Sequence, residues 1–229
     1  MPAKPAPVVV KPDTSLVRRA RKMDRILAAT YPDARAELDF TNAFECLVVT
    51  VVSAQTTDRR VNAASPALFA AYPTPEAMAA APREHLEQLL GPLGFFRAKT
   101  DSLLKLSQAL VEDHDGQVPG RLDDLVKLPG VGRKTANVVL GNAFGINTGM
   151  VVDTHIGRLS VRLGFTQHDS KNAVKIEQDL MALFPRETWT QLAHLLIAHG
   201  RAICKARRPA CTACPLRRSC PQIGVDDAK

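Results

Sequence analysis

Residues 128–144 read LPGVGRKTANVVLGNAF, with two glycines, a lysine and a threonine just ahead of an apolar run. The pattern invites comparison with a nucleotide phosphate loop, in which a glycine, four free positions and Gly-Lys-Ser/Thr wrap backbone amides around phosphates while the lysine reaches over them. The match fails twice: Arg133 separates Gly132 from Lys134, and Lys127 stands where the first glycine would be. What remains is two helical patterns joined by a tight turn. Leu122, Leu125 and Val126 form a short amphipathic turn of helix ending at Leu128, and PGVG supplies a proline and two flexible positions. Ala136, Val139, Leu140, Ala143 and Phe144 then follow the i, i+3, i+4, i+7, i+8 spacing of an amphipathic helix. The stretch is a helix-hairpin-helix.

Such a hairpin has a chemistry of its own. Glycines let the chain reverse and bring bare amides to the surface, and the second helix adds its positive N-terminal end, so Gly130, Val131, Gly132 and Arg133 suit a phosphate of a nucleic acid backbone. Contacts of this kind fix position without reading sequence. The plainer alternative is a turn that serves packing alone. Lys134 lies about 150 degrees from the centre of the apolar stripe at 100 degrees per residue and faces away from the core of its helix. It stands beside the positive end of the dipole and beside Arg133, a setting that disfavours one more positive charge, as an amine nucleophile requires. A solvated phosphate-contacting lysine is the competing reading.

Outward from the hairpin, nearly every periodic segment is helical. Phe44, Leu47, Val48, Val51 and Val52 repeat the same spacing, and Trp189, Leu192, Ala193 and Leu196 make a further stripe. Thr74-Pro75-Glu76 is an N-cap followed by proline, Ser170 precedes the run through Ala173, Ile176, Leu180 and Phe184, and Gly91 and Gly116 break helical patterns. An all-α chain of roughly ten helices is expected, with a boundary in GINTGM, residues 145–150. The Pro-rich start, residues 1–13, reads as a flexible basic arm, and residues 222–229 read as a tail. At 229 residues the chain has room for one large domain or two small ones. Its net charge of +7 implies an anionic partner, nucleic acid ahead of a membrane surface. No twenty-residue apolar span or signal peptide is apparent, so a soluble, cytoplasmic protein without a membrane partner is expected.

Two further stretches carry chemistry. In VVDTHIGRL, Asp153 precedes a helical pattern through Ile156, Leu159 and Leu163, which makes it an N-cap whose carboxylate is held by orphan amides and can also be aimed into a cleft. His155 beside it is a candidate hydrogen-bonding partner for that site. In CKARRPACTACPLRRSC, Cys204, Cys211, Cys214 and Cys220 are spaced C-x6-C-x2-C-x5-C, four soft ligands in a loop too short for a core of its own. Clustering in an intracellular chain points to a metal site and away from disulfides. Zinc and a 4Fe-4S cluster both accept four thiolates, and the spacing alone does not separate them. Lys205, Arg207, Arg208, Arg217 and Arg218 leave the loop basic, and Cys46, inside an apolar helical pattern, reads as an ordinary buried cysteine.

The hairpin, VDTHIGRL and the cysteine tail, in this order and spacing, resemble the endonuclease III family of helix-hairpin-helix DNA glycosylases, over roughly Leu16 to Cys220. The resemblance implies Lys134 as nucleophile, Asp153 as catalytic carboxylate and the four cysteines as ligands of a 4Fe-4S cluster. It implies two helical domains, with the active site in the groove between them: a six-helix barrel over 36–147 holding the hairpin, and a cluster domain built from 14–35 and 148–221. The implied activity is base-excision repair. A damaged nucleotide is flipped out of duplex DNA, the amine attacks the sugar, and β-elimination follows through a Schiff base. Oxidised pyrimidines and abasic sites would be the substrates of a monomeric, nucleoid-associated enzyme. The family's two intercalating loops match SAQTTD and LGFFRAK. Gln55 would fill the gap left by the flipped base, and Asp58 would cap the following helix. Phe95 stands where the family often carries a leucine wedge. Two other readings stay open: a non-enzymatic DNA-binding module with a zinc or cluster loop, and a same-fold enzyme for pyrimidine dimers.

Overall fold

The computed structural model describes residues 13–225, and these are helical throughout, with no strand among them. The expected basic arm before Asp13 and the end of the tail after Val225 lie outside the described residues. In chain order the helices are α1 (Thr14–Thr30), α2 (Ala43–Val52), α3 (Asp58–Ala71), α4 (Pro75–Ala79), α5 (Arg83–Leu90), α6 (Phe96–His114), α7 (Leu122–Leu125), α8 (Arg133–Ala143), α9 (Thr154–Arg162), α10 (Ala173–Leu183) and α11 (Trp189–Ala202). Single 3-10 turns follow at Gly91–Leu93, Arg186–Thr188 and Cys211–Ala213. The chain divides into two compact units, one running from Arg35 to Val151 and one made of the segments before and after it. No described helix is long and apolar enough to cross a membrane.

The continuous unit is built around α2. Phe44, Cys46, Leu47, Val48, Val49 and Val52 are all buried, so this helix is apolar around most of its circumference and forms the centre of the unit. Asn42 starts it by accepting from the Glu45 amide at 2.9 Å, a cap worth about 1 kcal/mol. Leu103, Leu106 and Leu110 of α6 and Ala136, Val139 and Leu140 of α8 close on the same core. Two residues assigned to apolar stripes face outward: Val126 is 41% exposed and Phe144 is 37% exposed. Both lie at helix ends, as the C-caps of α7 and α8, where the backbone leaves the helical register that set the stripe.

In the second unit α1 packs on α10 and α11, and α9 packs on the same two helices. Trp189, Leu192, Ala193 and Leu196 are buried, as the stripe requires. Asn172, and not Ser170, starts α10, with its side chain accepting from the Lys175 amide at 3.3 Å. The last described residues lie along the cysteine loop: Gln222 N donates to Cys220 Sγ at 3.4 Å and Ile223 N to Arg162 O at 3.3 Å.

Candidate active site and cysteine cavity

The hairpin is anchored from below and bare on top. Leu128 and Val131 are buried, and the Val131 amide donates to Leu128 O at 3.1 Å, closing the turn. Val131 therefore offers a partner its backbone and not its side chain. Gly130 has φ +77°, the left-handed region that favours glycine. Gly132 is different. Its φ is −86° and a Cβ there would meet nothing within 4 Å, so the position needs no glycine for its own conformation and instead leaves the surface open to close approach. Gly132 is the N-cap of α8 and no side chain caps that end, so amides of the first turn face outward with the positive end of the helix. Arg133 and Lys134 follow directly, both exposed.

Two other loops of this unit carry strained, exposed residues. Gln55 has φ +55° and Phe95 has φ +48°, a conformation that costs non-glycine residues about 1–2 kcal/mol and persists only where the surroundings impose it. Phe95 is the N-cap of α6 and its side chain is 68% exposed, whereas Phe96 beside it packs partly against the core. Thr57, and not Asp58, takes the N-cap position of α3. No side chain caps that end, and Asp58 lies one residue inside, in the first turn. The hydroxyl of Thr57 makes no capping bond, and the dipole still favours a carboxylate at the position Asp58 holds.

In the second unit Asp153 caps α9, its Oδ1 accepting from the Ile156 amide at 2.7 Å. His155 Nδ1 lies 3.2 Å from the guanidinium of Arg158, which also donates to Gly200 O and Cys204 O. A Cβ on Gly200 would come within 3.0 Å of His155 Nδ1, so glycine lets this polar row close on α11. His155 thus serves the α9–α11 contact.

Cys204, Cys211, Cys214 and Cys220 are free and line one cavity, together with Arg162 and His199. The cavity is partly open to solvent. N–H groups point at three of the sulfurs. Arg162 donates to Cys204 Sγ at 3.5 Å, Gln222 N to Cys220 Sγ at 3.4 Å, and His199 Nε2 lies 3.6 Å from Cys214 Sγ. Burial holds the His199 imidazole down at about 4, so it is neutral at pH 7. With Tyr31 Oη 3.0 Å from Nδ1, a hydroxyl donating to Nδ1 leaves the proton on Nε2, facing the sulfur. Burial, and next to it the neighbouring sulfurs, push the Cys214 and Cys220 thiols up. Four cysteine sulfurs around one cavity, three of them met by N–H groups, are a donor set that could hold a metal group. Among the described residues no group of three or more His, Cys, Asp or Glu is drawn together closely enough to hold a metal ion.

Sequence reasoning missed the residues that hold these loops. Arg162, nearly buried, donates to Lys205 O at 2.7 Å and Ala206 O at 2.9 Å, and Arg19 of α1 reaches Leu163 O at 2.8 Å and Gly164 O at 3.0 Å. The exposed Arg207 and Arg208 stand on the loop so held, with Arg208 at φ +51°. A signal for Arg162 was present: it lies three residues after Leu159 and six after Ile156, beside the buried stripe of α9.

Comparison with known proteins gives one consistent result. Residues 48–186 match the HhH-GPD superfamily of base excision DNA repair proteins. The chain is 46% identical over 204 residues to endonuclease III of Synechocystis, covering 89% of this chain and 92% of that protein. It is 44% identical over 199 residues to endonuclease III of Bacillus subtilis, covering 87% and 90%. Among solved structures, a trapped covalent intermediate of endonuclease III with DNA, in an estranged-adenine complex, matches with a TM-score of 0.83 at 42% identity, covering 90% of this chain and 96% of that one.

Proposed function

For a chain that belongs to the endonuclease III family of HhH-GPD base excision DNA repair proteins, we propose that Lys134 is the nucleophile and Asp153 the carboxylate of a DNA glycosylase and abasic-site lyase acting on oxidised pyrimidines in duplex DNA. The observation that carries the assignment is the exposed amine in the first turn of α8, two residues past the bare hairpin glycine Gly132. A phosphate held by the hairpin amides brings a sugar within reach of the first exposed nucleophile beyond them.

The chemistry proceeds on a nucleotide extruded from the stack, since neither C1′ nor the base is accessible inside a duplex. The neutral Lys134 amine attacks C1′, the glycosidic bond breaks, and the base departs with the electron pair and takes up a proton. Asp153 faces the positive charge that develops on the sugar and accepts the proton the amine sheds. Opening of the sugar ring gives a Schiff base between Lys134 and C1′. Loss of a C2′ proton then expels the 3′ phosphate, and water releases the lysine. Gln55 occupies the space vacated by the nucleotide and Phe95 wedges the stack. Arg207 and Arg208 on the cysteine loop contact backbone phosphates.

Cys204, Cys211, Cys214 and Cys220 would hold a 4Fe-4S cluster. The four sulfurs line one cavity and N–H groups meet three of them, a donor set suited to a thiolate-bound group whose charge those donors offset. When bound, the group neutralises thiolate charge and fixes the loop that carries the arginines. Its neighbours in this chain supply the N–H donors.

Borohydride trapping on duplex DNA bearing an oxidised pyrimidine tests the reading. The intact protein should form a covalent adduct and Lys134→Gln should form none. An intact protein that cleaves the lesion without any trappable adduct would overturn the lysine assignment.

A further inference from the structure

Gln55 and Phe95 are separated by forty residues, yet the loops that carry them meet at one buried ammonium group. Lys99 is 6% exposed, in the first turn of α6. Its Nζ donates to Thr56 Oγ1 at 2.6 Å and to Leu93 O at 2.9 Å. The Thr56 hydroxyl in turn donates to the same Leu93 carbonyl at 2.6 Å. Thr56 is the residue after Gln55, and Leu93 ends the turn two residues before Phe95. The three groups form a closed triangle with one corner on each loop and one on the helix that follows. The Lys99 amide closes the geometry from the other side, donating to Phe95 O at 3.1 Å.

Among the described residues no carboxylate is bonded to this ammonium. Burial without a counter-charge holds Lys99 below the usual lysine range, so keeping the charge there costs stability. An apolar side chain of the same length would fill the space at less cost. The two exposed residues flanking the triangle are both in the left-handed region, Gln55 at φ +55° and Phe95 at φ +48°, strain that only a surrounding constraint sustains. A costly buried charge and two strained, solvent-facing side chains on either side of it are accounted for together by a demand on the loops' relative position.

We infer that Lys99 is a positioning residue of the lesion-recognition step, a brace that fixes Gln55 and Phe95 at the separation at which both enter duplex DNA together. This rests on the reading of Gln55 and Phe95 as intercalating residues. The brace acts before chemistry, on the extrusion of the nucleotide, and it touches neither sugar nor base. Thr56 is its second member: its hydroxyl both accepts from Lys99 and donates to Leu93.

The test compares duplex with single-stranded substrate. Lys99→Met keeps the length and volume and removes the charge. Under single-turnover conditions it should slow cleavage of a lesion in duplex DNA by roughly ten- to a hundredfold, the size expected when a positioning contact shifts by about 1 Å. Cleavage of an abasic site in single-stranded DNA, which has no stack to open, should stay within about twofold. The apparent Tm should not fall, because the removed group was a buried charge without a counter-charge and the Thr56 to Leu93 bond remains. Thr56→Val, which deletes the shared hydroxyl at constant shape, should reproduce the duplex-specific loss. A double-mutant cycle should show Gln55→Ala and Phe95→Ala coupled in the native background and independent in Lys99→Met. A folded Lys99→Met with an unchanged duplex rate would overturn the proposal. If Lys99→Met fails to fold, an unchanged duplex to single-strand ratio in Thr56→Val would do the same. Equal slowing on both substrates would also overturn it, since it would place Lys99 in the chemistry. Failure of the family reading is distinct: it would appear as loss of trapping in the native protein or its persistence in Lys134→Gln.

Discussion

The hairpin and the cysteine loop are both short, basic and irregular, yet they are held by different means. The hairpin rests on the protein's own core: Leu128 and Val131 reach into it, one turn bond closes it, and Gly130 absorbs the unusual dihedral. The cysteine loop has Pro209 and Leu216 buried and turn bonds of its own, such as Ala210 N to Ile203 O at 3.0 Å and Cys220 N to Leu216 O at 2.9 Å, but it also leans on Arg162, which holds two of its carbonyls, and its four sulfurs line a cavity. A loop of the first kind is formed once the chain folds. A loop of the second kind is complete only when something binds the sulfurs.

The largest expected effect follows from that contrast. Cys214→Ala removes one of the four proposed ligands, so on that reading the loop should lose its metal and well over about 4 kcal/mol of local stability, as removal of a structural metal does. Hydrogen exchange distinguishes the two regions: amides over 205–220 should lose protection while those over 128–140 keep theirs. Equal loss in both would mean that the hairpin also depends on the metal.

Next in size is the clamp. Arg162→Leu leaves the carbonyls of Lys205 and Ala206 without their donor and withdraws the N–H from Cys204 Sγ. Lys205 and Ala206 are exposed, so water can take up their carbonyls, and the loss is that of hydrogen bonds from a charged donor; denaturant unfolding of the metal-loaded protein should show a loss of roughly 1–3 kcal/mol. Arg162→Lys should recover only part of it, because an ammonium cannot reproduce the planar fork.

Within the hairpin the two glycines should separate stability from binding. Gly130→Ala places a Cβ at φ +77° and should cost about 1 kcal/mol. Gly132→Ala meets no atom within 4 Å and keeps an ordinary φ, so the Tm should be unchanged while duplex affinity falls, because the methyl stands where a phosphate would approach. Titration against undamaged duplex at fixed salt, beside thermal melts, reads both effects.

How much was legible in the sequence follows the same division. The hairpin could be read because its demands are local: a glycine where φ is positive and an apolar stripe at helical spacing. Caps held by a side-chain bond, such as Asp153 and Thr74, were legible too, each with an oxygen three residues from the amide it serves. The residues that hold loops from a distance were not. Thr56 lies 43 residues before Lys99 and Arg162 lies 43 before Lys205, so neither partner could be named until packing brought them together. A trace was available, since Lys99 is in register with Leu103, Leu106 and Leu110 on the buried face of α6. A charged residue on an apolar stripe signals a buried bond without naming its acceptor. Asp58 failed as a cap for the complementary reason: a one-residue shift of the helix start is below what a local pattern resolves.

The smallest effect concerns the fifth cysteine and sharpens the comparison by exclusion. Cys46 is 1% exposed in the core of α2, its Sγ buried against apolar neighbours, and burial pushes its thiol up to about 12. A folded-state value above the ordinary thiol value of 9.0 means the unfolded chain releases this proton first. The contribution to stability is therefore complete below pH 9 and is lost as pH rises from there toward 12. At pH 8 the thiolate is scarce and shielded, so alkylation of the metal-loaded protein should label neither Cys46 nor the loop cysteines. Removal of the metal should expose four thiols to rapid labelling and leave Cys46 unlabelled until the protein unfolds. Mass spectrometry of the labelled peptides distinguishes the two classes: labelling of Cys46 on the same timescale as the other four would show that losing the metal opens the unit that carries the hairpin, and the two loops would then share one source of order.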